Sequence, residues 1–332
     1  MKKFISIFLI LVFGLSLVSC AIPIHSIGFI NSDGEWVQDP IYYGSLPYSD
    51  QLFAVNVGGS TYGKWGFVDI NGEVVIDYLY DEVLSFYNGY APVMQKSGEH
   101  ANRWFFIDKT GKPAFKDKYF LDASVFSEGL AAVESASSDT YEKWGYIDIS
   151  GNYVIEPSYG VAGIFSDGLA KVRVGLGNSG LCGFINKDNE LVIEPLYAYC
   201  GYFSEGLAPV KRTFDTDKSD WGYIDKSGNL VLDFKYGYAK AFREGLAPVI
   251  EGDPHLDKFS YIDKEGNTIL SAQYYRANPF YEGKAAIKRY PYDNTGWGFI
   301  DLEGNLIIGG DFASCSDFKD GYATAGIIIR RK

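Results

Sequence analysis

Apolar and polar residues follow a pattern that returns eight times between Ile27 and the C-terminus, with a period of about 38 residues. Each copy opens with a short apolar run, and we call its first residue the tryptophan position. Successive copies place this position at Ile27, Trp65, Trp104, Trp144, Cys182, Trp221, Phe259 and Trp297. Because the spacing is nearly constant, we expect length differences to be confined to loops.

Three runs in most copies predict β-strands. The first run, as in residues 144–148, and the second, as in residues 152–156, are joined by an Asp-x-x-Gly-Asn turn. Aspartate bonds its own backbone there and glycine supplies a positive φ, so the two runs predict a β-hairpin. The third run, as in residues 207–210, contains proline in some copies. Since proline lacks an N–H, this run predicts an edge strand, or a proline nitrogen that faces away from a neighbour.

A glycine follows the tryptophan position in six copies, at Gly28, Gly66, Gly145, Gly183, Gly222 and Gly298. Glycine inside a strand indicates the close approach of another backbone or a large ring. Phe105 and Ser260 depart from the pattern. We interpret the recurring pair as structural; its members include Trp65, Gly66, Trp104, Trp144, Gly145, Trp221, Gly222, Trp297 and Gly298.

The segment between the second and third runs, as in residues 236–245, predicts a crossover that ends in a tight turn. A copy of about 38 residues cannot bury enough apolar surface alone, so the copies must pack on one another. The chain enters on a first run at Ile27 and ends on a third run, and pairing the two would complete a sheet. We therefore predict an all-β fold of eight tandem units of short antiparallel strands, closed into a propeller-like toroid. An open β superhelical array is the alternative, because the first copy is degenerate.

Residues 1–19 predict a lipoprotein signal peptide. Two lysines precede an apolar stretch, residues 4–18, that has secretory length but is short for a membrane span. The string Leu17-Val18-Ser19-Cys20 resembles the bacterial lipobox, whose cysteine becomes the lipidated first residue of the mature protein. The resemblance implies lipidation at Cys20, a short tether over residues 20–26, and an exported protein anchored at the outer membrane or cell surface. A cleavable signal peptide with a chance cysteine is the alternative.

Composition narrows the class of ligand. The net charge of −12 argues against nucleic acid, whose binding depends on phosphate neutralisation. Cys200 and Cys315 stand where other copies have alanine and are interpreted as small core residues. Cys182 stands at a tryptophan position, and a Cys182–Cys200 disulfide is possible in an exported protein. No cysteine or histidine spacing indicates zinc, and we expect neither a metal nor a cofactor.

The strings Lys64-Trp65-Gly66-Phe67-Val68-Asp69 and Asp220-Trp221-Gly222-Tyr223-Ile224-Asp225 resemble the WG-repeat proteins of bacteria. The third run with its preceding turn, residues 203–210, resembles that family too. The resemblance covers residues 27–332, and it implies a binding or interaction module that is often exported. It implies no shared catalytic residues, so only structural positions can be carried over.

Carboxylates recur at two positions of the repeat. One begins the hairpin turn, as at Asp225, and the other precedes a glycine in the tight turn, as at Glu205. Paired acids can cleave glycosides or bind calcium, but acids that recur around the repeat and exchange with asparagine at Asn31, Asn88 and Asn186 predict turn capping instead. The histidines His25, His100 and His255 lie in separate segments and predict no shared site. We therefore predict no catalytic residue.

Sequence variation concentrates between the third run and the next tryptophan position. Equivalent loops of a repeat lie on one face, and loops on a rigid scaffold commonly carry function. Their candidate binding residues are Tyr62, His100, Arg103, Tyr141, Arg173, Phe214, His255, Tyr290 and Tyr292. We predict a lipid-anchored, non-enzymatic envelope protein that binds a protein partner or a glycan. The alternatives are an envelope enzyme acting on glycans and a purely structural spacer.

Overall fold

The computed structural model describes residues 25–137, 143–174, 180–255, 258–291 and 296–328. One short helix, α1, spans Gly59–Tyr62. The strands are, in chain order, β1 His25–Asn31, β2 Trp36–Tyr42, β3 Gly44–Ser45, β4 Phe53–Val57, β5 Lys64–Val68, β6 Val74–Tyr80, β7 Glu82–Val83, β8 Tyr90–Gln95, β9 Arg103–Asp108, β10 Asp122–Ala123, β11 Leu130–Glu134, β12 Trp144–Asp148, β13 Tyr153–Tyr159, β14 Val161–Ser166, β15 Leu169–Arg173, β16 Cys182–Ile185, β17 Leu191–Tyr197, β18 Tyr199–Cys200, β19 Leu207–Lys211, β20 Trp221–Asp225, β21 Leu230–Tyr236, β22 Tyr238–Ala239, β23 Ala247–Ile250, β24 Phe259–Ile262, β25 Thr268–Tyr274, β26 Arg276–Ala277, β27 Ala285–Lys288, β28 Trp297–Ile300, β29 Leu306–Phe312, β30 Ser314–Cys315 and β31 Tyr322–Ile328.

The strands form eight antiparallel sheets, arranged as an eight-bladed β-propeller. Blades 1 to 7 follow the chain as β3–β6, β7–β9, β10–β13, β14–β17, β18–β21, β22–β25 and β26–β29, and the closing blade has the order β2-β1-β31-β30. Each blade other than blade 2 has four strands, of which the first is usually only two residues long. That short strand lies inside the segment predicted as a crossover, so the crossover prediction missed it.

The ring closes by pairing its two ends. Strand β1 pairs with β31 over seven residues, from His25 opposite Ile328 to Asn31 opposite Tyr322. Across the same junction, Lys319 Nζ donates a hydrogen bond to Ser49 Oγ at 2.6 Å. The closed toroid is therefore confirmed, and the open array is not the fold.

Neighbouring blades hold each other through buried aromatic residues. The ring of Tyr223 packs on Phe242 of the next blade at 4.9 Å, and its hydroxyl donates to the Lys240 carbonyl at 2.7 Å. Ser204 Oγ donates to the Phe242 carbonyl at 2.6 Å. Burial raises the pKa of Tyr223, because its phenolate would be out of contact with water. Each blade thus depends on its neighbours, as expected from repeats too small to fold alone.

The glycine after the tryptophan position is required by close backbone approach. A Cβ atom on Gly145 would lie 2.5 Å from the carbonyl oxygen of Ile155 in the adjacent strand. In blade 2 this position holds Phe105, and no fourth strand forms there. The segment that follows β9 pairs with it only at two isolated bridges, Trp104–Phe120 and Ile107–Pro113. A side chain is compatible with this position because no regular strand crosses it.

The proline-containing run is not an edge strand. In blade 5 it forms β19, which lies between β18 and β20. The carbonyl of Pro209 accepts the Gly201 N–H at 2.7 Å, so the proline nitrogen faces the same side. Strand β18 ends at Cys200, just before that contact. The ladder between the two strands thus stops at the residue whose nitrogen cannot donate a hydrogen bond.

Candidate functional site

The two ends of the blades carry different connections. In blades 1 to 7 the second and third strands are joined by loops, and, except in blade 2, the fourth strand reaches the next blade through a single residue such as Gly237. We call this end the loop face; its loops are residues 58–63, 96–102, 135–143, 174–181, 212–220, 251–258 and 289–296. We call the opposite end, with the short turns, the turn face. The variable loops thus leave the blades from one end.

On the turn face, Asp225 caps its own hairpin turn. Its Oδ1 accepts the backbone N–H groups of Ser227 at 2.9 Å and Asn229 at 2.8 Å. The side chain of Asn229 also donates to Asp225 and, with the backbone N–H groups, lowers the pKa of this carboxyl. Asn186 makes the equivalent backbone contacts in its own turn. The first recurring acid is therefore a turn cap, as predicted.

The second recurring acid caps a turn in the next blade. The carboxylate of Glu205 accepts the Gly245 N–H at 3.1 Å, and that of Asp167 accepts the Gly206 N–H at 2.8 Å. Glu205 has a φ of 54°, which directs its side chain out of its own turn. These acids therefore join neighbouring blades, a role that their sequence position did not reveal.

A cavity of about 480 Å³ opens at the loop face between blades 4 and 5. We call it the blade 4/5 cavity. Its lining residues are Val161, Lys171, Val172, Arg173, Cys182, Tyr199, Cys200 and Phe214. Its size falls within the range of small-molecule sites, roughly 300–1,000 Å³. Arg173 and Phe214 are two of the predicted binding residues, and the fold brings them together here.

Cys182, which occupies a tryptophan position, forms part of the cavity wall. In blade 5 the equivalent Trp221 packs against Tyr238 at the start of the next blade, with ring centroids 5.6 Å apart. In blade 4 the small Cys182 side chain faces the equivalent Tyr199 and is bonded to Cys200. No indole therefore stands at this point of the cavity wall. The disulfide fixes the floor of the cavity across the two blades.

Cationic and aromatic side chains line this space. Arg173 Nη2 donates to the Ala198 carbonyl at 2.6 Å, and its guanidinium carbon lies 5.7 Å from the Tyr199 ring and 5.9 Å from the Phe214 ring. Lys171 Nζ donates to the Cys200 carbonyl at 3.1 Å. Burial, and secondarily the charge of Arg173, lower the pKa of Lys171. No carboxylate is among the residues that line the cavity.

A buried ion pair holds the loop that carries Phe214. Lys211 Nζ contacts Asp220 Oδ1, and both side chains are only 4% exposed. Asp220 Oδ2 accepts the backbone N–H and the hydroxyl of Thr213, at 3.0 and 2.6 Å. Burial alone would raise the pKa of Asp220, but the bonds from Lys211 and Thr213 lower it. The loop is thus tied at its base, one residue before Phe214.

The other predicted binding residues occupy separate places. His100 stacks on Tyr119 with ring centroids 3.6 Å apart, and Arg103 begins β9. His255 Nε2 lies 3.1 Å from Oδ1 of Asp217, and Asp217 belongs to the same loop as Phe214. Tyr62 is 87% exposed in α1, and Tyr290 is exposed near Arg289. Tyr141 and Tyr292, like the predicted lipidation site Cys20, lie outside the described residues.

Sequence reasoning missed Lys171 and Tyr199 as parts of this site. Lys171 stands at the position held by proline in Pro209 and Pro248, so its charge inside a third run was a readable signal. Cys182 was recognised at a tryptophan position, but its place in the wall of a cavity was not inferred. The Cys182–Cys200 disulfide is present, and among the described residues Cys315 is a free thiol whose pKa is raised by burial.

Comparison with known protein families gives one assignment. The model of the WG containing repeat matches seven segments: residues 27–60, 65–97, 144–175, 183–212, 221–253, 259–289 and 297–325. The segment that is not matched contains Phe105, and its blade lacks a fourth strand. No curated protein matches the chain.

Several solved structures are similar to this chain. A structure from a study of two prolyl endopeptidases is 9% identical with a TM-score of 0.52, and the match covers 87% of this chain and 51% of the other. Pyrococcus horikoshii acylaminoacyl peptidase is 11% identical with a TM-score of 0.48, over 80% of this chain and 52% of the other. The β-propeller domain of the Trilobed protease from Pyrococcus furiosus is 10% identical with a TM-score of 0.45, over 74% and 89% of the two chains. This chain spans about half the length of the two peptidases, and at these identities the likeness concerns the fold alone.

The described residues contain neither a membrane-spanning helix nor a cluster of metal ligands. None of their helices has the length and apolar character to cross a membrane. Within the same residues, no group of three or more histidine, cysteine, aspartate or glutamate side chains is arranged to hold a metal ion.

Proposed function

The chain belongs to the family of WG-containing repeat proteins, and from this premise we propose that it is a lipid-anchored binding protein of a bacterial cell envelope that holds a glycan on its loop face and catalyses no reaction. The observation that carries the proposal is the pair of half-exposed rings, Tyr199 and Phe214, at the blade 4/5 cavity. Their centroids lie 5.7 Å apart at an angle of 69°. Rings with one open face suit stacking on the apolar face of a sugar.

The positions of the acids support a role without catalysis. Asp225 and its equivalents accept bonds inside their hairpin turns, and Glu205 and its equivalents bond glycines of the next blade. Their recurrence around the ring leaves no single copy with a distinct pair of acids, which glycoside cleavage would need.

The proposed cellular location of the protein rests on the sequence alone. A signal peptide over residues 1–19 and lipidation at Cys20 would place the ring beside a membrane, and more than one acyl chain would make the anchoring stable. Metabolic labelling with a fatty-acid analogue tests this part. Label in the full chain that is lost in Cys20→Ala supports the anchor, and equal label in both contradicts it.

A panel of envelope polysaccharides, titrated while tryptophan fluorescence is recorded, tests the glycan. We expect binding by the full chain and loss of binding when residues 212–220 are replaced by a Gly-Ser linker. Replacement of residues 58–63, on the far side of the ring, is the matched control and should leave binding unchanged. If no polysaccharide of the panel binds, and an envelope protein is crosslinked in intact cells in a way that depends on residues 212–220, the ligand is a protein partner and not a glycan.

A further inference from the structure

We propose that the blade 4/5 cavity is a site for an acidic sugar, such as a uronic acid residue, with the carboxylate near Arg173 and Lys171 and the sugar ring against the exposed sides of Tyr199 and Phe214. This inference rests on the proposed function and names its ligand class. No such site follows from the repeat itself, because the other described blades do not combine these features.

The charge of the cavity selects the ligand. The chain carries a net charge of −12, yet the cavity is lined by two cations and no carboxylate. Fields inside a cleft with one sign of charge attract ligands of the opposite sign. Arginine presents several donors in one plane, which matches the two oxygens of a carboxylate.

The site is also prepared before the ligand arrives. Arg173 is oriented by the carbonyls of Gly180 and Ala198. Phe214 sits on a loop fixed by the buried Lys211–Asp220 pair. Side chains that are already ordered lose little entropy when a ligand binds, so a small sugar can be held by few contacts.

The equivalent cavity between blades 1 and 2 lacks this chemistry. It measures about 410 Å³ and keeps the indole of Trp65. Its lining includes Asp81, which is paired with Lys64 at 2.7 Å. A carboxylate thus stands in the wall of this cavity, so it serves as an internal reference that should not take an acidic sugar.

The most informative variant gives blades 4 and 5 the residues that other copies of the repeat have at these two positions. Cys182→Trp combined with Cys200→Ala gives blade 4 the indole and blade 5 the alanine that other copies have, and it narrows the cavity beside Tyr199. The matched control, Cys182→Ala with Cys200→Ala, removes the disulfide but leaves the cavity open. Isothermal titration of the full-length chain with glucuronate, with glucose as the neutral probe, measures both.

We expect the unmodified chain to bind glucuronate at least about tenfold more tightly than glucose, the effect of one charge-assisted contact. The indole variant should lose this binding by about tenfold or more, whereas the double-alanine control should keep it within about threefold. Raising the ionic strength should weaken glucuronate binding and leave glucose unaffected.

Two further variants keep the test decisive if the indole variant fails to fold. Phe214→Ala, at an exposed ring, should weaken both sugars, and Arg173→Gln should remove the preference for glucuronate. Equal affinity for the two sugars, or full glucuronate binding by a folded indole variant, overturns the acidic-sugar site. If neutral polysaccharides still bind through residues 212–220, only the acidic-sugar site is wrong and the proposed glycan-binding function stands. If no sugar binds at all, the acidic-sugar site and the glycan-binding function are both wrong.

Discussion

At the glycine position of the repeat, the residue type is decided by whether a single Cβ atom has room. Gly145 has no room for a side chain, because the Ile155 carbonyl crosses 2.5 Å from where its Cβ would lie. Ser260 holds the same position in blade 6, and its hydroxyl donates a hydrogen bond to the Glu251 carboxylate at 3.0 Å. The sequence predicted a close approach at these glycines but not what approaches, since the partner strand's bulge is not visible in the pattern.

Gly145→Ala should lower the free energy of unfolding by about 1–3 kcal/mol, because the added methyl group must displace a backbone carbonyl. Chemical denaturation measures the change. Ser260→Ala is the matched control at the same position, where a Cβ already fits, and should cost about 1 kcal/mol for the lost hydrogen bond. Equal costs for both variants would contradict the steric explanation.

Asp225→Asn should reduce the acid sensitivity of the protein. The pKa of Asp225 is lowered in the folded state by the Asn229 side chain and backbone N–H groups, so its contribution is present above its ordinary pKa of 3.8 and is lost as pH falls through the folded value. Asparagine keeps the turn, as Asn186 does naturally. In denaturant titrations from pH 6 to about pH 2, the stability difference between the two proteins should shrink toward low pH, and a constant difference would sink this account.

At the scale of single elements, the loops differ in how firmly they are held. The loop over residues 212–220 is tied by a buried ion pair, whereas its outer part carries the exposed pair Lys218–Asp215. The hairpin of each repeat could be predicted because its turn chemistry is local. The two-residue first strands could not, because two residues such as Tyr238–Ala239 show no period and pair only through the next third run.

Asp220→Ala should cost about 3–5 kcal/mol of unfolding free energy, because it leaves the Lys211 ammonium buried without its partner. It should also weaken sugar binding, since Phe214 would lose its support. Asp215→Ala, in the same loop, removes only an exposed pair and should change stability by less than about 1 kcal/mol. Thermal and chemical unfolding of both variants measure this, and a mild effect of Asp220→Ala would show that the loop does not depend on the pair.

For the whole molecule, ring closure was predictable because the two ends of the chain carry complementary parts of one repeat. The blade 4/5 cavity was not, because it is lined by side chains of two blades that are distant in the sequence. The inter-blade role of Glu205 was hidden for the same reason: contacts about 40 residues apart leave no trace in a local pattern.

Ending the chain at Gly321 removes β31 and should open the ring. Strand β1 would lose its partner and present an unpaired edge, which favours association between chains. Light scattering after size exclusion should report oligomers, and thermal unfolding should occur at a lower temperature than in a control chain that ends at Ile328. A monomer with unchanged unfolding would mean that the closing pair adds little.

The pairing of β1 with β31 has a consequence for orientation. His25 lies opposite Ile328 at the end of the closing blade where the other blades place their loops. Five residue steps separate it from Cys20, a reach of at most about 18 Å. An acylated Cys20 would therefore turn the cavity mouth toward the lipid headgroups, so that only molecules rooted in or lying flat on the bilayer surface could reach it. A fluorophore in loop 212–220 should then be quenched by headgroup-attached quenchers, and a long insertion after Ala21 should relieve the quenching.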